Sequence, residues 1–230
     1  MKLRPSAERG SADYGWLNAR YTFSFGDYHD PEWMGWRCLR VMNEDRIAGN
    51  TGFPSHPHRE MEIVTFMLKG ALAHEDSTGG AGVIRENEVQ VMSAGRGIVH
   101  SEKNAENEEA HLYQVWLLPE TNGVDPTYDQ QAFPEEARRG DWQLLVSGNP
   151  EDDALHICQS AKIYRRVLAA DETVEVSIGE GRGHWLQVIR GELSVNDQLL
   201  QSSDGLGIED ITDYTIASAS ESEVLLFDLP

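Results

Sequence analysis

The sequence predicts an all-β fold of the jelly-roll or barrel type. Short segments with strand-like composition alternate along the 230 residues with breaks made of Gly, Asp, Asn and Pro. Apolar residues repeated at the helical spacing of three to four positions are scarce. Many short strands separated by regular turn signals are typical of β-sandwiches and β-barrels.

The chain is long enough for one large β domain or for two domains of roughly 100 residues each. A weak internal repeat favours two, since segments 62–72 and 183–193 both run from apolar residues into a turn glycine. The polar stretch 126–140 is predicted to connect the domains and to contain one short helix. We therefore expect an N-terminal domain at residues 1–130 and a C-terminal domain at residues 131–230.

Two short clusters about forty residues apart carry side chains that bind metals. His56 and His58 lie two positions apart, as do His100 and Glu102, and both pairs stand in strand-like sequence beside turns. Residues i and i+2 of a strand point to the same face, so each cluster directs two ligands toward one place. Three imidazoles and a carboxylate suit a first-row transition metal and contain too much nitrogen for Ca²⁺ or Mg²⁺.

The same clusters resemble the two motifs of the cupin superfamily, a histidine-pair motif followed by a second motif with histidine and asparagine. Glu62 follows His58 by four residues, and Asn104 follows His100 by the same distance. Many cupins use a glutamate at the position of Glu62 as a ligand, but Glu102 competes for that role. We favour Glu102 as the ligand and place Glu62 next to the ligands. The other histidines considered are interpreted as surface or hydrogen-bonded residues: His74, His111, His156 and His184.

The second copy of the repeat has a different set of residues at the ligand positions. Aligning the two turn glycines puts Ser177 and Gly179 where His56 and His58 stand, and it puts Gly183 at the position of Glu62. We therefore predict that the C-terminal domain lacks metal ligands.

Almost the whole chain resembles the pirin family, and especially its bacterial members. The motifs that carry this resemblance are Gly15-Trp16-Leu17, the run from Tyr21 to Tyr28, Leu39-Arg40-Val41, His56-Pro57-His58-Arg59, the run from Met92 to Glu102, and the closing run from Leu225 to Pro230. The resemblance implies two tandem cupin domains and one divalent metal per chain, held by His56, His58, His100 and Glu102. Iron is the favoured ion, with Mn, Ni, Cu, Co or Zn as alternatives. One departure is Glu60, where some pirins carry glycine. Its extra carboxylate is expected either to raise the local negative charge or to bond to a ligand histidine.

Bacterial pirins are similar to quercetin 2,3-dioxygenases, so the resemblance implies cleavage of a flavonol such as quercetin with O₂. An octahedral metal with four protein ligands leaves two positions for these reactants. A carboxylate would accept the flavonol hydroxyl proton, with Glu102 as the first candidate and Glu62 as the second. Four aromatic side chains are expected in the pocket wall, because aromatic faces suit a flat polyphenol: Phe23, Phe25, Tyr28 and His29. Core packing is the alternative for the two phenylalanines.

Two other functions fit the same ligands. Pirins also resemble iron-dependent redox regulators, which bind a partner protein without turnover. A metal-dependent isomerase acting on sugars or keto acids is a weaker alternative, because the resemblance over the whole chain is to pirins.

Composition excludes several classes of partner. The net charge is −20 and basic residues form no large cluster, so direct binding to nucleic acid is not expected. The sequence contains no run of about 18 apolar residues, the length needed to span a membrane, and no signal peptide is recognisable at the N-terminus. We therefore predict a cytoplasmic protein. Cys38 and Cys158 are interpreted as reduced structural thiols.

Overall fold

The computed structural model describes residues 1–230 and is almost entirely β, as the sequence predicts. Neither of the two short 3-10 helices, Ser6–Glu8 and Glu135–Arg138, approaches the length and apolar character of a membrane-spanning helix. The strands are β1 (Lys2–Arg4), β2 (Gly10–Asp13), β3 (Leu17–Tyr21), β4 (Leu39–Ile47), β5 (Gly52–His58), β6 (Glu62–Lys69), β7 (Ala71–Asp76), β8 (Ala81–Arg85), β9 (Glu88–Ser93), β10 (Ile98–Lys103), β11 (Ala110–Leu117), β12 (Thr127–Ala132), β13 (Gln143–Ser147), β14 (Leu155–His156), β15 (Lys162–Leu168), β16 (Thr173–Ser177), β17 (Gly183–Arg190), β18 (Glu192–Val195), β19 (Gln198–Gln201), β20 (Gly205–Ile208), β21 (Asp213–Ser218) and β22 (Ser222–Leu229).

The chain divides into two compact units. The N-terminal unit consists of Gly10–Phe133 and Leu155–Gln159, and the C-terminal unit consists of Met1–Arg9, Pro134–Ala154 and Ser160–Pro230. The predicted division at residue 130 differs from this one, because Met1–Arg9 belongs to the C-terminal unit and Leu155–Gln159 belongs to the N-terminal unit. Strand β1 pairs with β20 of the C-terminal unit. The backbone N–H of Cys158 donates to a carboxylate oxygen of Glu62, 3.0 Å away in the N-terminal unit.

In the N-terminal unit, a seven-stranded sheet has the order β12-β9-β6-β11-β4-β3-β2, and a four-stranded sheet has the order β5-β10-β7-β8. Strand β3 shows the alternation of buried and exposed residues typical of a sheet with one covered face. Ile47 and Leu112 of the larger sheet lie in one apolar cluster with Leu72 and Ile84 of the smaller sheet. The two sheets therefore enclose a common core, as in a jelly roll.

The C-terminal unit repeats this arrangement. Strands β1-β20-β17-β22-β15-β13 follow one another in its larger sheet, and β16-β21-β18-β19 form its four-stranded sheet. Strand β22 lies between β15 and β17 as β11 lies between β4 and β6, and β21 lies between β16 and β18 as β10 lies between β5 and β7. The prediction of an all-β protein with two tandem cupin domains is confirmed.

The strands that correspond to β5 and β10 have apolar residues on their inner faces. Val176 and Tyr214, which pair across β16 and β21, both belong to the buried core cluster. Ser177, aligned with His56 by sequence, is exposed, and its hydroxyl donates to Asp213 Oδ1 at 3.0 Å. That alignment is therefore wrong in its register, because a shift of one residue moves a strand side chain to the other face.

Candidate metal centre

Two neighbouring strands of the four-stranded sheet bring three histidines together. His56 and His58 lie on β5, and His100 lies on β10, paired directly with His56. The Nε2 atoms of His56 and His100 are 3.0 Å apart. The ring of His58 has its centroid 4.8 Å from the centroid of each of the other two rings. The two strand segments thus converge on one place, as their spacing predicts.

Glu102 joins this group through His100. Its carboxylate lies with ring nitrogens of His74 and His100 in a second cluster of buried potential ligands, in which all ligand atoms are within 4.8 Å of one another. Gln114 Nε2 donates to both oxygens of Glu102 at 3.1 Å. Burial raises the pKa of Glu102 to about 7, although the hydrogen bond from Gln114 acts in the opposite direction. Burial thus favours the protonated form of this carboxyl group when no cation is bound beside it.

The histidine nitrogens fit a divalent transition metal. Burial, aided by the neighbouring His56, lowers the pKa of His58 to about 4 and that of His100 to about 3, so both rings are neutral at pH 7. Two metal–nitrogen bonds of about 2.1 Å at a right angle put their nitrogens roughly 3.0 Å apart, which matches the distance between His56 and His100. Neutral imidazoles with one carboxylate favour such a metal over Ca²⁺.

The backbone fixes the orientation of His56. Its Nδ1 lies 2.8 Å from the carbonyl oxygen of Pro54, which can only accept a hydrogen bond. The ring therefore carries its hydrogen on Nδ1 and presents the lone pair of Nε2 to His100. Such outer contacts hold a metal-binding ring in one tautomer and one orientation.

Glu62 is not brought to the histidines. Its neighbour Ile63 packs in an inner apolar cluster, so Glu62 points to the other face of β6. There the hydroxyl of Ser93 donates to its carboxylate at 2.5 Å, and the N–H of Cys158 donates at 3.0 Å. Burial raises the pKa of Glu62, and these two hydrogen bonds lower it. The placement corrects the expectation that Glu62 stands beside the ligands and gives no support to a role as the base.

Glu60 also differs from expectation. Its carboxylate accepts the backbone N–H of Gly123 at 3.1 Å and does not bond to a ligand histidine. Its φ of 49° lies in the left-handed region that favours glycine. Glycine would adopt this backbone conformation without strain.

The aromatic surroundings of the centre are only partly those expected. Phe25 packs edge-on against Trp116, with ring centroids 5.3 Å apart, and Trp116 packs edge-on against His58 at 4.9 Å. Phe23 is fully buried against Trp33, consistent with the alternative of core packing. The other two side chains expected in the pocket wall are placed differently. The ring of Tyr28 stacks with that of Tyr21, and His29 is exposed.

Sequence reasoning missed several residues around the centre. Gln114 bonds to Glu102, and Trp116 Nε1 donates to Gln114 Oε1 at 3.2 Å. A glutamine among the apolar residues of a strand is a detectable signal, because a buried amide requires partners. Asp76 was also missed, and His74 was interpreted only as a surface or hydrogen-bonded residue, although the two show the same i, i+2 spacing that identified the other clusters.

One further acidic group lies inside this barrel. Asp45 pairs across the sheet with Leu112 and Ala19, which both belong to the inner apolar cluster. Its side chain is buried, and Oδ1 has no hydrogen-bond partner. Burial, followed by the charges of Glu102 and Glu44, raises the pKa of Asp45 to about 8.

Two cupin domains with a histidine centre in the first one define a bicupin protein that binds a divalent metal. Family comparison identifies the family: the model described as Pirin matches residues 2–117, and that described as Quercetinase C-terminal cupin domain matches residues 144–229. The chain belongs to the pirin family, which confirms the family predicted from its motifs.

Individual relatives are similar to this chain over nearly its full length. The chain is 44% identical over 229 residues to a protein of Escherichia coli K12 named quercetin 2,3-dioxygenase, covering 99% of this chain and 98% of that protein. It is 42% identical to a pirin-like protein of Caulobacter vibrioides, covering 98% and 97%. The crystal structure of the E. coli bacterial pirin YhhW in complex with nickel(II) superimposes with a TM-score of 0.95 at 43% identity, covering 100% and 98%.

Proposed function

We propose that this protein is a metal-dependent dioxygenase that cleaves a flavonol such as quercetin with O₂. The observation that carries the proposal is the convergence of His56, His58 and His100 inside the N-terminal cupin, with the carboxylate of Glu102 close to His100. The full-length relative named quercetin 2,3-dioxygenase supports the same reaction class.

A divalent transition metal supplies Lewis acidity and redox chemistry toward O₂ when it is bound. His56, His58, His100 and Glu102 would hold it. Glu102 is also the proposed base, because a carboxylate beside the histidines can accept the hydroxyl proton of a flavonol bound at the centre. Gln114 keeps that carboxylate in place through its amide hydrogens. Trp116, in edge contact with His58, offers an aromatic surface for a flat polyphenol.

The finer assignments form part of this proposal. Iron is the proposed native metal, and the nickel complex of a 43% identical relative supports a divalent ion at this centre. The proposed partners are a flavonol and O₂, without direct binding to nucleic acid. A cytoplasmic location accompanies the proposal and is consistent with Cys38 and Cys158, which do not form a disulfide with each other.

The test is oxygen consumption on addition of quercetin, measured with the metal content of the same samples. The wild type loaded with iron or nickel should consume O₂ only when quercetin is present. His56→Ala should lose most of its metal and its oxygen uptake, since losing one ligand opens the site to water. His156→Ala is the matched control, because His156 is exposed and lies outside both ligand clusters.

Two outcomes contradict the proposal. Full metal content and uptake in His56→Ala would remove His56 from the centre. A wild type that binds metal but never consumes O₂ with quercetin would exclude the dioxygenase and favour a regulator that binds a partner protein.

A further inference from the structure

A buried chain of three side chains leads away from the metal centre. His74 Nε2 lies 3.0 Å from Asp76 Oδ2, and both side chains are fully buried. His74 Nδ1 lies 3.3 Å from His100 Nδ1, while His100 Nε2 faces His56 at 3.0 Å. His100 therefore stands between the centre and a carboxylate–histidine pair.

Strand pairing produces this chain directly. Strand β10 lies between β5 and β7, so its inner residues contact both neighbours. In the register of β10 and β7, His100 is opposite Asp76, and Glu102 is opposite His74. The His74 ring is held on its other side by Tyr128, stacked with ring centroids 4.4 Å apart and planes 21° apart.

One arrangement of hydrogens satisfies every atom in the chain. If the Nε2 lone pair of His100 faces the centre, the neutral ring carries its hydrogen on Nδ1, which can donate to His74 Nδ1. His74 then carries its own hydrogen on Nε2 and donates it to Asp76. Reversing His74 would set two N–H groups against each other at the His100 contact and leave the carboxylate of Asp76 without its donor.

Asp76 is itself firmly anchored. Its Oδ1 accepts hydrogen bonds from the backbone N–H of Thr78 at 2.7 Å, from the hydroxyl of Thr78 at 2.6 Å and from the N–H of Gly80 at 3.1 Å. The turn that follows β7 thus fixes one oxygen, and this leaves Oδ2 directed at His74. A carboxylate fixed in this way can hold two successive imidazole rings in order.

We propose that Asp76 and His74 are positioning residues that fix His100 as an Nε2 ligand and strengthen its electron donation to the metal. This inference rests on the metal centre of the proposed function and adds two residues outside the ligand set. A hydrogen bond from the far ring nitrogen to an acceptor fixes the tautomer of a metal-binding histidine and raises its basicity. Here the acceptor is a second histidine, backed by a carboxylate.

Two substitutions of His74 separate hydrogen bonding from packing. His74→Phe keeps a ring to stack on Tyr128 but has no acceptor for His100. His74→Gln removes the ring but offers an amide oxygen to His100 and an amide N–H to Asp76. His111→Phe is the matched control, because His111 also bonds to a carboxylate, Glu44 at 2.9 Å, and lies outside both ligand clusters.

The measurements are Ni²⁺ affinity, by competition with a chelator, and the electron paramagnetic resonance spectrum of the Cu²⁺-loaded protein, both without quercetin. His74→Phe should bind Ni²⁺ about 10- to 100-fold more weakly and show a changed Cu²⁺ spectrum, the scale usual for losing such an outer contact. His74→Gln should recover most of the affinity and the wild-type spectrum. His111→Phe should match the wild type in both measurements.

Each contrary result has a distinct meaning. Wild-type affinity and spectrum in His74→Phe would overturn the inference, as would equal losses in His74→Phe and His74→Gln, which would reduce His74 to a packing role. A wild type that binds no divalent metal would overturn both this inference and the proposed function. Tight binding to the wild type with no quercetin turnover, together with the predicted pattern in the variants, would support the inference and refute only the dioxygenase.

Discussion

The substitution Asp45→Asn tests how burial controls charge inside the N-terminal cupin. Asp45 is 3% exposed, and its Oδ1 has no hydrogen-bond partner. Burial raises its pKa from 3.8 to about 8, with the charges of Glu102 and Glu44 as smaller causes. Asparagine has nearly the same size and cannot ionise, so the substitution removes the titration while keeping the volume.

The sign and the size follow from the shift in pKa. Between about pH 4 and pH 8 the folded protein keeps a proton on Asp45 that the unfolded chain has released, so the free energy of unfolding falls as the pH rises. A shift of about four pH units corresponds to roughly 5 kcal/mol at about 1.4 kcal/mol per unit. The stability of Asp45→Asn relative to the wild type should therefore increase by several kcal/mol from pH 4 to pH 8.

Urea unfolding at pH 5, 6, 7 and 8, followed by tryptophan fluorescence, measures this difference. Chelator in every buffer keeps divalent metal away from Glu102, since a nearby cation would lower the pKa of Asp45. Asp129→Asn is the control, because Asp129 is an exposed strand residue of the same unit. A difference between Asp45→Asn and the wild type that does not change with pH would refute the argument from burial.

Two further predictions concern the centre itself. Glu102→Gln should keep much of its metal and slow flavonol cleavage by about 10²-fold or more, the usual scale for losing a general base. Glu62→Gln should slow cleavage less, because the carboxylate of Glu62 bonds to Ser93. Single-turnover oxygen consumption per bound metal measures both variants. If Glu62→Gln were slower than Glu102→Gln, Glu62 would be the base instead of Glu102. Gly80→Ala should weaken Ni²⁺ binding, because an added Cβ would clash with Asp76 Oδ2 and displace that carboxylate. Unchanged affinity in a chelator competition would contradict this.

The ligand histidines could be found from sequence because strand geometry is local. The i, i+2 rule places His56 with His58 whatever the rest of the fold does. Glu62 was misplaced because it lies across a turn from His58, on a different strand. The two-residue period of β5 does not continue through that turn, where Glu60 takes a positive φ.

Pairing between strands explains the residues that sequence could not place. The spacing of His74 and Asp76 predicts that they share a face, but only the sheet order shows that this face meets His100. The misplaced Ser177 has a related cause, because an alignment without a structure leaves a one-residue shift undetected. The joining of β1 to the C-terminal unit depends in the same way on its distant partner, β20.

We propose above that His56, His58, His100 and Glu102 hold one divalent metal. The most direct test is a crystal of the metal-loaded protein, measured at the absorption edge of that metal. We expect a single anomalous-difference peak per chain, about 2.0–2.2 Å from the Nε2 atoms of the three histidines and from a carboxylate oxygen of Glu102. A peak at any other group of residues, or no peak at these histidines in fully loaded protein, would contradict it.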